Sequence, residues 1–410
     1  MSRHDPFQSL RYAEYRWFLL GTTSLFMAMQ LQTVVMGWQV YAITHDPLSL
    51  GLVGLAEAIP FLCLTLVGGH AADRMDRRWL SLWATALLLL CAVLLLVYNL
   101  GLPTSALPFY GIQALSGLGR AFYRPASQAL GTELVPRDAY HNAATWRSSL
   151  GHMAMVVGPA MGGLLFGFGS ARLAYSVEVL LMALGFILLL KVSPRPRHAP
   201  ATGTLFQGLA EGLRFVFDRK VILGAMSLDL FAVLFGGAVA LLPVFASDIL
   251  KTGPQGLGIL RAAPAAGSVL MSLSLAFMPP MRRVGRVLLV FVAAFGCCWI
   301  AFALSRSLAL SLALLVLSGA FDNVSVVLRA TLVQTFTPQG MMGRISAVNS
   351  FFIGSSNELG AFESGLVARL MGLVPSVIFG GCMTLGVVAA TAGLVPELRK
   401  LDRMDDRKDD

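Results

Sequence analysis

Among the ionisable side chains inside long apolar stretches of this sequence, ten are candidates for chemistry: Glu57, Arg120, Arg124, Glu178, Asp229, Arg261, Asp322, Arg329, Glu358 and Glu363. A charge at the centre of a hydrocarbon layer costs about 2.5–3.5 kcal/mol on insertion scales, so each one needs a reason. Two kinds of chemistry supply one. A carboxylate and a guanidinium can neutralise each other as an ion pair. A carboxylate can also take up and release a proton, because burial raises its proton affinity and a neighbouring arginine lowers it. Arg120 and Arg124 are four residues apart and share a helix face; Asp322 and Arg329, seven apart, do likewise. Glu57 and Glu178 lie well inside their stretches and are read either as proton sites or as acids that snorkel to the outer surface. Glu358 and Glu363 are read as partners in interhelical pairing, with Arg261 a candidate counter-charge, and His152 as a packing donor.

The elements that must position these groups follow from composition. Of 410 residues, 56% are apolar and only 13% charged, against about 25% charged in a soluble domain. Mean hydropathy is +0.72. A soluble enzyme, a disordered chain and a disulfide scaffold are thereby excluded. Twelve apolar stretches fall at 17–43, 48–71, 79–100, 106–130, 143–168, 171–191, 220–247, 256–279, 286–304, 308–333, 343–370 and 373–395, each near the roughly 20 residues that a helical span needs. They must be helices, since hydrocarbon leaves open backbone groups unsatisfied. The net charge of +9 is concentrated in alternate loops, among them Arg74, Arg77, Arg78, Lys191, Arg214, Arg286 and Arg344, and at both termini. The opposite loops hold little beyond Arg172, Lys251 and Arg306. The positive-inside rule then predicts cytoplasmic termini and an even number of spans, with no nucleic-acid partner. Met1 to Arg16 carries no cleavable signal pattern. The five cysteines lie in apolar runs without metal-ligand spacing and read as small hydrophobes.

A linker at 193–219 divides the chain into two bundles, 1–192 and 220–398, followed by a charged cytoplasmic tail, 399–410, of which 402–410 reads as disordered. The linker opens with Pro194, Pro196 and Pro200. It continues with Leu205, Leu209, Leu213 and Val216 at helical spacing, which predicts an amphipathic helix on the cytoplasmic face. At an offset of 202 the halves overlay: Ser116-Gly117 on Ser318-Gly319, Pro136 on Pro338, Gly158 on Gly360, Gly163 on Gly365 and Arg120 on Asp322. Internal duplication of membrane halves is a signature of secondary transporters. No Walker, G-x-S-x-G or HExxH motif stands in the loops, so neither an enzyme nor a metal or cofactor is expected.

Four segments carry a family resemblance. Gly69-His70-Ala71-Ala72-Asp73-Arg74-Met75-Asp76-Arg77-Arg78 resembles the cytoplasmic signature of the major facilitator superfamily, with Asp76 where that family has Gly. Gly158-Pro159-Ala160-Met161-Gly162-Gly163 is similar to the antiporter motif of the superfamily's exporters; Pro159 bends a helix and the glycines admit a close neighbour. Glu133-Leu134-Val135-Pro136 and Gln334-Thr335-Phe336-Thr337-Pro338, with the segments around them, resemble the branch of bacterial drug and siderophore exporters that includes the enterobactin exporter.

The resemblance implies an all-α integral membrane fold of twelve transmembrane helices in two six-helix pseudo-repeats. It implies that the first, fourth, seventh and tenth spans line a central cavity. On that map Gln30, Gln32, Arg120, Tyr123, Arg124 and Arg329 are substrate-cavity candidates, beside aromatic and methionine residues such as Phe26, Met29, Phe122 and Phe231. Asp229 and Asp322 are the first choices for proton coupling, ahead of Glu57 and Glu178. Gly69, Asp73, Arg74, Arg77, Arg78, Gly158, Pro159, Gly162 and Gly163 are gating candidates, with Asp73 bridging helix ends and Gly69 allowing close approach. The expected activity is export of a small amphiphilic compound, siderophore or drug-like, by proton antiport and alternating access in the bacterial inner membrane. An uncoupled, lipid or nutrient carrier of the same fold is the alternative. The expected partners are a small-molecule substrate, protons and the lipid bilayer, and a monomer is expected.

Overall fold

The computed structural model describes residues 5–194, 205–236, 238–278, 281, 283–338 and 341–401. Residues 195–204, which hold Pro196 and Pro200, and the tail from 402 onward lie outside the described residues, as does the side chain of Glu358. The described chain is helical throughout. Its long helices are α1 (Ala13–Thr44), α2 (Pro47–Arg74), α3 (Arg77–Tyr98), α4 (Leu107–Glu133), α5 (Tyr140–Phe168) and α6 (Ala171–Leu190). Then come α7 (Leu205–Asp218), α8 (Lys220–Gly236), α9 (Gly253–Phe277), α10 (Val284–Leu304), α11 (Leu308–Phe336), α12 (Met342–Met371) and α13 (Leu373–Leu394).

Ten of these segments are long and apolar enough to cross a membrane by length and composition. The two other long helices, α4 and α12, have 27 and 30 residues. They are less apolar because they carry Gln113, Arg120 and Arg124, and Asn349, Asn357 and Glu363. With them the twelve-helix fold is complete, and α7 is the helix between the halves. The seventh span differs from a plain helix. After Gly236 it continues as a 3-10 turn at Ala238–Leu241, a short α segment at Leu242–Val244 and a π-helix at Phe245–Ile249. Pro243 removes a backbone donor in that stretch, which breaks the regular ladder.

The chain folds as two compact units. The first comprises 1–45, 56–202 and 253–262; the second comprises 46–55, 203–252 and 263–410. The first unit's core is built on Tyr15, Phe18, Leu25, Leu88, Leu130 and Met182 from α1, α3, α4 and α6. The second unit's core is built on Leu228, Leu288, Val324, Leu332 and Leu398. Helix α7 belongs to the second unit. Its Val216 is buried with Ile222, Met226, Val333, Ile345 and Val348, and its Glu211 pairs with Arg344 at the start of α12.

Each unit repeats the same close helix crossings, and glycine makes them possible. In the first unit a Cβ at Gly117 on α4 would lie 2.2 Å from the carbonyl oxygen of Glu57 on α2. In the second unit a Cβ at Gly319 on α11 would lie 1.9 Å from the carbonyl oxygen of Pro264 on α9. The fifth and eleventh spans repeat the pattern. Gly163 meets Gly258 with 2.7 Å between the built Cβ and the facing Cα, and Gly365 meets Gly51 at 3.1 Å. Without lateral hydrophobic drive in a bilayer, such contacts are what hold helices together.

A side chain placed in these crossings must force helices apart. Gly319→Ala is therefore expected to lower thermal stability in detergent by the equivalent of about 1–3 kcal/mol, the usual cost of overpacking. Gly386→Ala, where a Cβ meets nothing within 4 Å, is expected to leave it unchanged. Thermal unfolding of the two purified variants checks the difference.

Candidate functional site

Helix α4 carries a polar stripe at helical spacing: Gln113, Arg120 and Arg124, with Gly117 between them. The stripe faces α2. Arg120 forms an ion pair with Glu57, and Gln113 donates a hydrogen bond to the same carboxylate. Arg124 lies over the ring of Phe61, 5.6 Å from its centroid, one helical turn along α2 from Glu57. The shared face expected of Arg120 and Arg124 is thus present. Glu57 is 8% exposed and points inward, so the snorkelling alternative does not hold for it. Gln113 was missed by sequence reasoning, although its seven-residue spacing from Arg120 marks the same face.

Glu178 on α6 is fully buried, and neither carboxylate oxygen has a hydrogen-bond partner among the described residues. Snorkelling does not hold here either. One turn away, the Tyr175 hydroxyl donates to Gln39 Oε1 at 2.7 Å, and Gln39 Nε2 donates to Asn99 Oδ1 at 2.6 Å. The Tyr175 proton is therefore engaged elsewhere.

In the second unit the carboxylates of α8 and α11 converge. Arg329 pairs with Asp229 and also donates from Nε to the Ser325 carbonyl oxygen at 3.1 Å. Asp229 and Asp322 both line one small cavity with Ser325, Phe295, Val292, Val233 and Ala232. The partner that Asp229 lacks on its own helix is supplied by α11. Asp322, on the same helix as Arg329, makes no hydrogen bond or ion pair among the described residues.

The gating candidates divide. Gly69 faces open space; the close approach falls one residue earlier, where a Cβ at Gly68 would lie 2.2 Å from the Ala121 carbonyl oxygen. Asp73 and Arg74 are exposed, and Asp73 pairs with no described residue. Asp76, at the position that departs from the family pattern, caps α3 by accepting from the backbone N–H groups of Arg78 and Trp79 at 2.8 and 3.1 Å. Arg77 pairs with Glu133 at the end of α4 at 2.5 Å, and Arg78 donates to the Leu190 carbonyl oxygen at the end of α6 at 2.9 Å. The arginines therefore tie helix ends together within the first unit. In the Gly158-Pro159 motif, Gly158 and Gly162 pack on Met27, Gln30 and Leu31 of α1. Gly163 packs on Pro254 and Gly258 of α9, and Gly258 also approaches the Pro159 carbonyl oxygen.

Among the cavity candidates, Gln32 is buried, Gln30 is half-buried with its Cβ against Gly158, and Tyr123 packs on the first unit's core. His152 bonds the Ser148 carbonyl oxygen in its own helix at 2.9 Å. The five cysteines are free thiols.

The family described as transmembrane secretion effector matches residues 4–409, nearly the whole chain. The chain belongs to this family of major facilitator transporters. The multidrug efflux pump Tap of Mycolicibacterium fortuitum is 26% identical over 386 residues, covering 90% of this chain and 92% of Tap. The enterobactin exporter EntS of Escherichia coli O1:K1 / APEC is 25% identical over 395 residues, covering 94% and 92%. Two solved structures share the fold. A bacterial homologue of the human lysosomal transporter Spinster superposes with a TM-score of 0.74 at 16% identity, over 96% of this chain and 98% of that one. A D-xylose-proton symporter superposes with a TM-score of 0.70 at 16% identity, over 97% and 99%. The protein is a multi-pass membrane transporter of small molecules; the family it belongs to is one of transporters and not of enzymes.

Removing one partner of a buried ion pair strands the other charge, at about 3–5 kcal/mol. Arg329→Gln is therefore expected to lower the unfolding temperature sharply, and adding Asp229→Asn is expected to restore most of the loss. A double-mutant cycle of thermal unfolding measures the coupling.

Proposed function

We propose that this transporter exports a small amphiphilic compound, a siderophore or a drug-like molecule, by proton antiport. The observation that carries the reading is the second unit's charge cluster: two carboxylates, Asp229 and Asp322, on one small cavity with a single arginine. The guanidinium neutralises one acid and leaves the other to be neutralised by a proton. When Asp229 takes up a proton, Arg329 is released to meet Asp322 or an anionic group on the substrate. When the proton leaves, the original pair reforms. Such an exchange of partners ties the protonation of the site to its conformation, which is what antiport by alternating access requires.

The direction of transport is supported by the efflux and export functions in the names of Tap and EntS, and by the Gly158-Pro159 motif packed between α1 and α9. The aromatic residues Phe231 and Phe235, stacked with centroids 6.4 Å apart on α8, suit an amphiphile with a ring system. Cytoplasmic termini are supported by the loop charges, the bacterial inner membrane by the bacterial exporters among the relatives, and a monomer is proposed as the working unit.

The test uses proteoliposomes with an imposed pH gradient and an internal pH dye, challenged in turn with siderophores, cationic drugs and amphiphilic acids. One class is expected to dissipate the gradient. Asp229→Asn and Asp322→Asn are each expected to reduce that dissipation at least tenfold while leaving the protein folded. Labelled substrate crossing without proton movement would instead favour an uncoupled carrier, and normal coupling in both variants would remove these aspartates from the mechanism.

A further inference from the structure

In the first unit, α3 and α6 pack side by side, and each turns an apolar stripe outward. On α3 the stripe runs through Trp79, Trp83 and Leu90, and the two tryptophans are 50% and 70% exposed. On α6 it runs through Leu180, Leu184 and Ile187, and the same helical spacing carries it on to Lys191 just past the helix end. In a multi-pass membrane protein such faces meet acyl chains. What lipid tails alone do not explain is the charge gathered at the foot of the two stripes, where α3 begins and α6 ends.

Two cations stand there. Arg78 donates from Nη2 to the Leu190 carbonyl oxygen at 2.9 Å, which holds its guanidinium beside the residue that precedes Lys191. The same guanidinium lies 5.2 Å from the centroid of the Trp79 ring. Lys191 is exposed, with its ammonium 4.6 Å from the centroid of Trp17 on α1. An aromatic face orients a cation without discharging it. Among the described residues neither cation forms an ion pair. The acids at these helix ends are engaged: Asp76 caps α3, Glu133 binds Arg77, and Glu14 has a partner of its own. Helix α3 contains no acid, and the one acid of α6, Glu178, is fully buried. It lies about 20 Å along the axis from Lys191 at 1.5 Å per residue. Two like charges are thus brought to one place, with apolar faces above them and indole rings beside them.

We propose that this end of α3 and α6 binds an anionic phospholipid of the surrounding bilayer, with its phosphate at Arg78 and Lys191 and its acyl chains along the two stripes. A guanidinium that spends one N–H on a carbonyl keeps others for phosphate oxygens, and charge-assisted bonds of this kind are strong. Lysine adds a point charge on a flexible stem that reaches the headgroup level from the end of its helix. Tryptophan belongs at that level, where one edge of the ring is wet and the other apolar. Basic residues between transmembrane helices at a membrane surface are a general means of holding anionic headgroups. A free phosphate would use the cations and leave the tryptophans and leucines without a role, so the charge and the apolar faces together select a lipid. The site stands apart from the aspartates of the second unit and does not rest on proton antiport.

Tryptophan quenching by lipids brominated on the acyl chain provides the test, with the full-length protein in phosphatidylcholine liposomes. A minor fraction of brominated phosphatidylglycerol is expected to quench about twofold more than the same fraction of brominated phosphatidylcholine, because the anionic lipid is enriched at the site. Replacing Trp79 and Trp83 by Phe is expected to remove the excess. Lys191→Gln and Arg78→Gln are each expected to lower it, and together to abolish it. Arg137→Gln, which removes an exposed positive charge from the loop after α4, is expected to keep it. Lys191 is exposed, so its variant decides the matter even if Arg78→Gln fails to fold. Equal quenching by the two lipids in the unsubstituted protein, or an undiminished excess in Lys191→Gln, would overturn the proposal. Inorganic phosphate in the medium is expected to leave the excess unchanged; if it removed the excess, the cations would be a site for a free anion and the lipid assignment would fall.

Discussion

The constraint on which this molecule depends is electrical neutrality inside a medium that cannot solvate charge. In each compact unit an arginine on a membrane helix binds an acid of a neighbouring helix, Arg120 with Glu57 and Arg329 with Asp229. Among the described residues neither Glu178 nor Asp322 makes a hydrogen bond or ion pair. An ion pair removes the cost of two charges at once, provided its geometry is held.

Helix packing holds the geometry. Gly117 brings the α2 backbone against α4 at Glu57 itself, so that the acid and Arg120 have no freedom to separate by helix drift. The equivalent crossing in the second unit, Gly319 on Pro264, fixes α11 against α9 and with it the helix that carries Asp322 and Arg329. Lower-lying contacts, Arg77 with Glu133 and Arg78 with the end of α6, tie the helix ends of the first unit. The duplicated crossings hold the helices of each unit at a fixed, close spacing.

Much of this was legible in the sequence. Unbroken apolar runs and the loop charges are strong signals, and the twelve-helix fold and the family followed from them and from the Gly-Pro and Asp-Arg motifs. The repeat at Gly117 and Gly319 was visible as residue identity, and the structure gives it its meaning as a backbone crossing. Pairing was harder to read. Asp322 and Arg329 share a helix, yet Arg329 turns to Asp229 on α8, because which acid is within reach depends on helix rotation and not on spacing along one chain. Glu57 and Glu178 left two readings open because depth along a span does not tell which way a side chain points. Gly68 and Gly69 are adjacent glycines of the same motif, and only the facing backbone of Ala121 decides between them. The π-helical end of the seventh span was hidden because its apolar composition continues unchanged through Pro243.

The most direct test of the central claim is to count protons released when substrate binds. Purified protein in weakly buffered detergent, with a pH indicator in solution, is mixed with a saturating amount of the substrate identified in proteoliposomes, while tryptophan fluorescence reports binding. The account predicts substrate-dependent proton release at neutral pH that falls when Asp322 is replaced by Asn. Full binding with no proton release in the unsubstituted protein would contradict it.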